Sequence, residues 1–114
     1  MPGCLFCGIA AGEVPATVVS ATPRIVAFRD INPQAPVHVL VIPRVHHQNL
    51  AELAEADDDL LSELVAHARQ VAVDEGIADS GYRIVFNTGP QAGQTVEHVH
   101  AHLLGGRPMS WPPG

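Results

Sequence analysis

The run His98-Val99-His100-Ala101-His102-Leu103-Leu104 constrains the fold of this chain more than any other feature. Alternate residues of a strand share a face, so the three imidazoles project to one side while Val99, Ala101 and Leu103 meet the opposite layer. Such a strand needs an apolar layer behind it and a working surface in front, because three imidazoles at period two are a poor choice for packing alone. The pattern predicts a last strand over Val96 to Leu104.

The rest of the chain supplies that layer. Leu5 to Gly12 reads as a short helix, stopped by Gly12 and by Val14-Pro15. Thr17 to Ser20 and Arg24 to Arg29 read as a hairpin turning at Ala21-Thr22-Pro23. After the turn-rich Asp30 to Pro36, the apolar run Val37 to Pro43 reads as a strand buried on both faces. Leu60, Leu61, Leu64, Val65, Ala68, Val71 and Ala72 repeat at helical spacing, entered through an N-cap among Asp57 to Asp59 and closed by Gly76. Tyr82 to Thr88 reads as a strand, followed by a glycine-bearing loop from Gly89 to Thr95. This is an α+β domain with a five-stranded, mainly antiparallel sheet, one short helix and one long one. With 114 residues the expectation is a single domain over residues 1–114.

Charge narrows the partners. Glu52, Glu55, Asp57, Asp58, Asp59 and Glu63 crowd one segment, where they suit a helix entry, and the other six acids balance six arginines. No basic face is available for nonspecific nucleic-acid binding. There is no lysine, which removes P-loop and Schiff-base chemistry. Neither an export signal nor a run of about 18 apolar residues is present, so a cytoplasmic location without membrane contact is expected.

Two chemistries compete for the histidines. Metal chelation by all three is geometrically awkward, because the outer Cα atoms of such a strand lie roughly 13 Å apart. The alternative makes the middle histidine a nucleophile. Gly89, Gly93 and their short neighbours let backbone N–H groups converge on an anion, and Thr95 adds a hydroxyl. An anion cradle beside a nucleophile points to phosphorus chemistry.

At these residues the sequence resembles the histidine triad (HIT) family, whose signature His-φ-His-φ-His-φ-φ it carries at His98 to Leu104. Asp30-Ile31-Asn32-Pro33-Gln34-Ala35-Pro36, Val41-Ile42-Pro43, Gly93-Gln94-Thr95-Val96, Gly105-Gly106-Arg107 and Trp111-Pro112-Pro113-Gly114 are similar to the Hint branch, the nucleoside phosphoramidases. The resemblance implies a homodimer with one ten-stranded sheet, binding purine nucleotides such as AMP. It implies that His100 attacks the α-phosphorus to form a nucleotidyl-histidine, that His102 contacts phosphate and protonates the leaving group, and that His38 and His98 support them. It further implies Asp30 on the ribose, Phe28 and Ile31 around the base, and Asn87, Gly93, Gln94 and Thr95 near ribose and phosphate. Trp111 would lie near the partner subunit's site. Two departures stand out: Glu97 where Hint members carry an aromatic residue, and Arg29 in place of a less strongly charged one. Hydrolysis of dinucleoside polyphosphates and a catalytically silent nucleotide-binding module are the competing functions.

Cys4-x-x-Cys7 is half of a tetrahedral zinc site and lacks two ligands. In bacterial-type relatives and in hexose-phosphate uridylyltransferases the pair joins a histidine after the Ile-Pro strand and the first histidine of the triad, which implies His46 and His98 here. His47 is the neighbouring rival. A redox role of the thioredoxin kind is less favoured because the pair does not follow a strand in a βαβ unit. The expected cofactor is structural zinc, with no metal needed at the reacting phosphate; His67 reads as an ordinary helix residue.

Overall fold

The computed structural model describes residues 3–114. Helix α1 spans Leu5–Ala10, strand β1 Val18–Ala21, β2 Ile25–Arg29 and β3 Val37–Pro43; helices α2 and α3 span Leu50–Ala56 and Asp58–Asp74, and strands β4 and β5 span Tyr82–Val85 and Ala101–Gly105. The strands form one antiparallel sheet in the order β1-β2-β3-β5-β4. This is the α+β architecture expected from the sequence.

Period-two alternation divides the sheet into two faces. Ile25, Ala27, Val39, Val41, Ala101 and Leu103 pack beneath Leu60, Leu64, Ala68 and Val71 of α3, which carry the main core. Val26, Phe28, Leu40 and Ile42 point the other way and form a smaller cluster with Phe6 of α1. Strand β3 is therefore buried on both sides, and only its first residue is half-buried. The thin side of the sheet, under α1, carries the histidines.

Several boundaries differ from the sequence reading for local reasons. The acidic segment holds two helices. Asn49 caps α2, its Oδ1 accepting from the Glu52 N–H at 2.9 Å while Glu52 Oε1 accepts from the Gln48 N–H, close to a capping box. Asp57 then ends α2 and caps α3, accepting from the Leu60 N–H at 3.0 Å. Helix α1 stops at Ala10, two residues before Gly12. Strand β4 ends at Val85 rather than Thr88, and a 3-10 turn, Pro90–Ala92, occupies the glycine loop. Strand β5 begins at Ala101, not Val96. Its pairing with β3 runs from Val37–Gly105 to Val41–Ala101 and halts short of Pro43. Pro43 has no N–H to continue the ladder, and its carbonyl is taken by the His98 ring, with Nε2 at 2.8 Å.

Candidate active site and metal centre

His102 lies within β5, whereas His98 ends a bend over residues 96–98 and His100 lies on the unpaired segment just before the strand. In the β3–β5 register Leu40 faces His102 and His38 faces Leu104, so His38 and His102 are diagonal neighbours on one face. Aromatic side chains span such a diagonal, and His38 Nε2 lies 2.9 Å from His102 Nδ1. The Gln34 N–H donates to His38 Nδ1 at 3.0 Å. His38 Nδ1 is thus an acceptor, and a neutral His38 carries its proton on Nε2, which donates to His102 Nδ1. His102 in turn holds its proton on Nε2.

His100 is fixed in the opposite sense. Its Nδ1–H donates to the His98 carbonyl at 2.7 Å, leaving the Nε2 lone pair unprotonated. Burial lowers the affinity of His38, His100 and His102 for a second proton, and His102 is held down at about 4, with the neighbouring His100 and His38 adding to the effect. At neutral pH these rings are neutral. One offers a lone pair for attack and the other an N–H for a phosphate oxygen, and an anion bound there favours the second proton that His102 needs to act as an acid.

Both rings open on a pocket of about 260 Å³, whose walls include Phe6, Phe28, Asp30, Ile31, Leu40 and Thr95. Phe6 stands edge-on to both Phe28 and His100, with ring centroids 5.4 and 5.0 Å away. Ile31 is fully exposed at the rim. Asp30 reaches His38 Nε2 with Oδ2 at 3.4 Å while its Oδ1 accepts from the Asn32 N–H. Of the residues expected around a nucleotide, Phe28, Asp30, Ile31, Thr95, His100 and His102 line this pocket. Asn87, Gly93 and Gln94 do not. Gln94 instead staples the loop, accepting from the Gly89 N–H and donating to the carbonyls of Gln48 and Val96. Arg29 borders the pocket, but its guanidinium is engaged by Glu75, 2.7 Å distant at the end of α3, and Glu97 is exposed in a separate cleft beside His46. Phe6, Leu40 and Ile9 were missed as pocket residues. The signal for Phe6 was its position between two cysteines whose ligand chemistry demanded that α1 dock near His98.

His98 is fully buried behind the pocket. Its Nδ1 lies 3.4 Å from Cys4 Sγ and 3.5 Å from Cys7 Sγ, and His46 Nδ1 lies 3.4 Å from Cys7 Sγ. The four candidate ligand atoms all fall within 4.8 Å of one another. Ligands bound to zinc at about 2.0–2.3 Å with tetrahedral angles stand about 3.3–3.8 Å apart, so the set fits that ion. The His98 Nε2–H donates to Pro43, which directs the Nδ1 lone pair to the thiols and serves as the outer hydrogen bond that metal-ligating histidines keep. His47 turns its ring to Glu52 instead, and its carbonyl accepts from the Val99 N–H. Asp30, His38 and His102 also gather three ligand-type atoms, but the bond from Gln34 places a proton on the His38 nitrogen that would have to bind. That group is a hydrogen-bond relay. His67 lies half-buried in α3, with no partner for its Nε2.

A histidine relay beneath a sheet-borne pocket defines a class that comparison with known proteins identifies. The chain belongs to the HIT domain family, which it matches over residues 11–109. It is 49% identical over 113 residues to the adenylylsulfatase HINT1 of Arabidopsis thaliana, covering 96% of this chain and 76% of that one. Identity to a 14 kDa zinc-binding protein of Zea mays is 50% over 113 residues, covering 96% and 87%. The crystal structure of a HIT family hydrolase from Legionella pneumophila Philadelphia 1 matches with a TM-score of 0.95 at 51% identity, over 98% of this chain and all of that one. Among the described residues no helix is long and apolar enough to cross a membrane.

Proposed function

We propose that the protein is a nucleotide hydrolase that cleaves purine nucleoside phosphoramidates of the AMP–amine type, aminoacyl-adenylates included, through a nucleotidyl-histidine. The observation that carries this reading is the opposed fixing of two imidazoles in one pocket: His100 presents a lone pair at Nε2 and His102 an N–H. His100 Nε2 attacks the α-phosphorus as the P–N bond breaks, and His102, held as its imidazolium by the anionic phosphate of the bound substrate, passes its Nε2–H to the departing amine and becomes neutral. Water then attacks the same phosphorus and expels the His100 imidazole, the proton returning to His102. Asp30 receives the ribose hydroxyls, Phe28, Phe6 and Ile31 enclose the base, and Asn87, Thr95 and the loop around Gly93 approach ribose and phosphate; Gln94 holds that loop. His38 positions His102, and His98 positions His100.

Cys4, Cys7, His46 and His98 would hold a structural zinc ion, which supplies a rigid cross-link between α1 and the approach to β5. The fit of the four atoms to a tetrahedron supports this, as does the zinc-binding relative. The exposed β4 edge, with Val65 and Tyr82 beside it, supports a homodimer with a continuous ten-stranded sheet and Trp111 near the partner subunit's site. Two unpaired cysteines suit a reducing cytoplasm.

Turnover of a fluorogenic adenosine phosphoramidate tests the central claim. His100→Ala abolishes it while the protein still binds AMP, and a nucleotidyl adduct accumulates on the wild type after rapid quenching. Equal turnover by both proteins would refute the nucleophile, and turnover by neither would leave a binding module. The Arabidopsis relative favours a second substrate, adenylyl sulfate, attacked by the same nitrogen. Its leaving group departs as an anion and needs no proton.

A further inference from the structure

We propose that Cys4 and Cys7 are a site of reversible oxidation, at which disulfide formation discharges the metal and releases α1 from the nucleotide pocket. The inference rests on the zinc and nucleotide readings above and adds a control that couples them.

Helix α1 has little of its own to hold it. It is six residues long and buries only Phe6 fully, and isolated helices of this length are not stable in water. Besides that ring, the partly buried Ile9 and Ala10 pack on the same cluster, and Arg44 anchors the helix through a 2.8 Å hydrogen bond from Nη1 to the Ala10 carbonyl. The thiol–imidazole set is the tie that joins its first turn to His46 and His98. Yet α1 supplies Leu5, Phe6 and Ile9 to the pocket that also contains His100 and His102. The same metal set reaches the nucleophile by a second route, because His98 gives its ring to the thiols and its carbonyl to the His100 Nδ1–H. Loss of the cross-link therefore loosens both a pocket wall and the group that aims His100.

The cysteines are placed for oxidation. Both are half-buried, and two open clefts of about 380 and 590 Å³ reach Cys4, the second also reaching Cys7. Cys4 is the N-cap of α1 and Cys7 stands three residues on, its N–H donating to Cys4 Sγ at 3.3 Å. Residues at this spacing have Cα atoms within the roughly 4.4–6.8 Å that a disulfide accepts, and the two sulfurs already lie within 4.8 Å of each other. The oxidant is a small-molecule disulfide. One zinc-bound thiolate attacks it to form a mixed disulfide and expel a thiolate; the second cysteine thiolate attacks that mixed disulfide, forming the Cys4–Cys7 bond and expelling the other thiolate. Two electrons pass from the protein to the reagent, and zinc, left with two imidazoles, dissociates.

The test treats the zinc-loaded protein with oxidised glutathione and reads four quantities: zinc captured by a chelating dye, the Cys4–Cys7 linkage by peptide mass spectrometry, AMP affinity by calorimetry, and amide exchange along the chain. One zinc per chain is expected to be released with the disulfide, AMP affinity to weaken by at least about tenfold, and exchange to rise over residues 4–12 while α3 stays protected. Dithiothreitol with zinc restores all four. Disulfide formation with zinc released but AMP affinity unchanged overturns the proposal, as does retention of zinc, or exchange that rises throughout the chain. A reduced protein that binds zinc and AMP but cleaves no phosphoramidate would sink the catalytic reading and leave this one standing. A reduced protein that holds no zinc sinks this proposal and leaves the catalytic reading standing, and one that binds no AMP sinks both.

Discussion

Replacing His102 by alanine separates proton donation from nucleophilic attack if substrates with different leaving groups are compared. An amine departs from phosphorus only with a proton, and positioned general acids contribute about 10²–10⁴-fold, or about 3–5.5 kcal/mol. His102→Ala should lower single-turnover cleavage of an AMP phosphoramidate by that factor. Sulfate departs unprotonated, so the same variant should lose only its phosphate contact on adenylyl sulfate, about tenfold. The ratio of the two rate constants thus falls by about 10–10³, and it cancels any common distortion of the site. His38 gives the companion measurement. Its Nε2, 2.9 Å from His102 Nδ1, selects a tautomer without touching the leaving group. His38→Ala removes one hydrogen bond of about 1–1.5 kcal/mol, which is a loss of about five- to twelve-fold on the phosphoramidate. Equal losses on both substrates for His102→Ala, or a His38→Ala defect as large as that of His102→Ala, would refute the assignment of the proton to His102 Nε2.

Acid should destabilise the fold through the same ring. His102 is held at about 4, against an ordinary 6.5, so below pH 6.5 the unfolded chain binds a proton that the folded chain refuses. The contribution is present above pH 6.5 and lost progressively towards pH 4, with a ceiling of about 3.4 kcal/mol; partial exposure of the ring reduces it to about 1–2 kcal/mol. Urea titrations at pH 7 and 4.5 should show that much less acid sensitivity in His102→Gln than in the wild type. Gly105→Ala should cost about 1–3 kcal/mol, because an added Cβ would lie 2.5 Å from Ile77 Cδ1 beneath the sheet; a melting temperature equal to wild type would show that Ile77 yields freely. Leu64→Ala, at a fully buried contact of α3 with the sheet, should cost about 2–5 kcal/mol in denaturant unfolding.

What the sequence made legible divides by the range of the interaction that decides each feature. Strand alternation and helical spacing are local, and they located β2, β3, α3 and the two-faced sheet. Residue 57 as an N-cap was equally readable. Helix α2 was missed although Asn49 and Glu52 form its cap, because the acidic run looked like one entry rather than two. The start of β5 could not be read from the alternating histidines themselves. It depends on Pro43, which has no N–H for the ladder, and on the ring of His98, 55 residues after it, which captures its carbonyl. The proximity of Cys4 to His98, separated by 94 residues, is longer in range still, yet it was anticipated. Periodicity has nothing to say about such a contact, whereas ligand chemistry does, since a C-x-x-C pair is an incomplete tetrahedron that requires two more donors from elsewhere. The family resemblance nominated them. Conversely, Gln94 and Arg29 belong to types that bind phosphate, and only the structure shows their groups already engaged with the loop carbonyls and with Glu75. A residue's type states which bonds it can make; whether those bonds are free for a ligand is decided by neighbours that are distant in sequence.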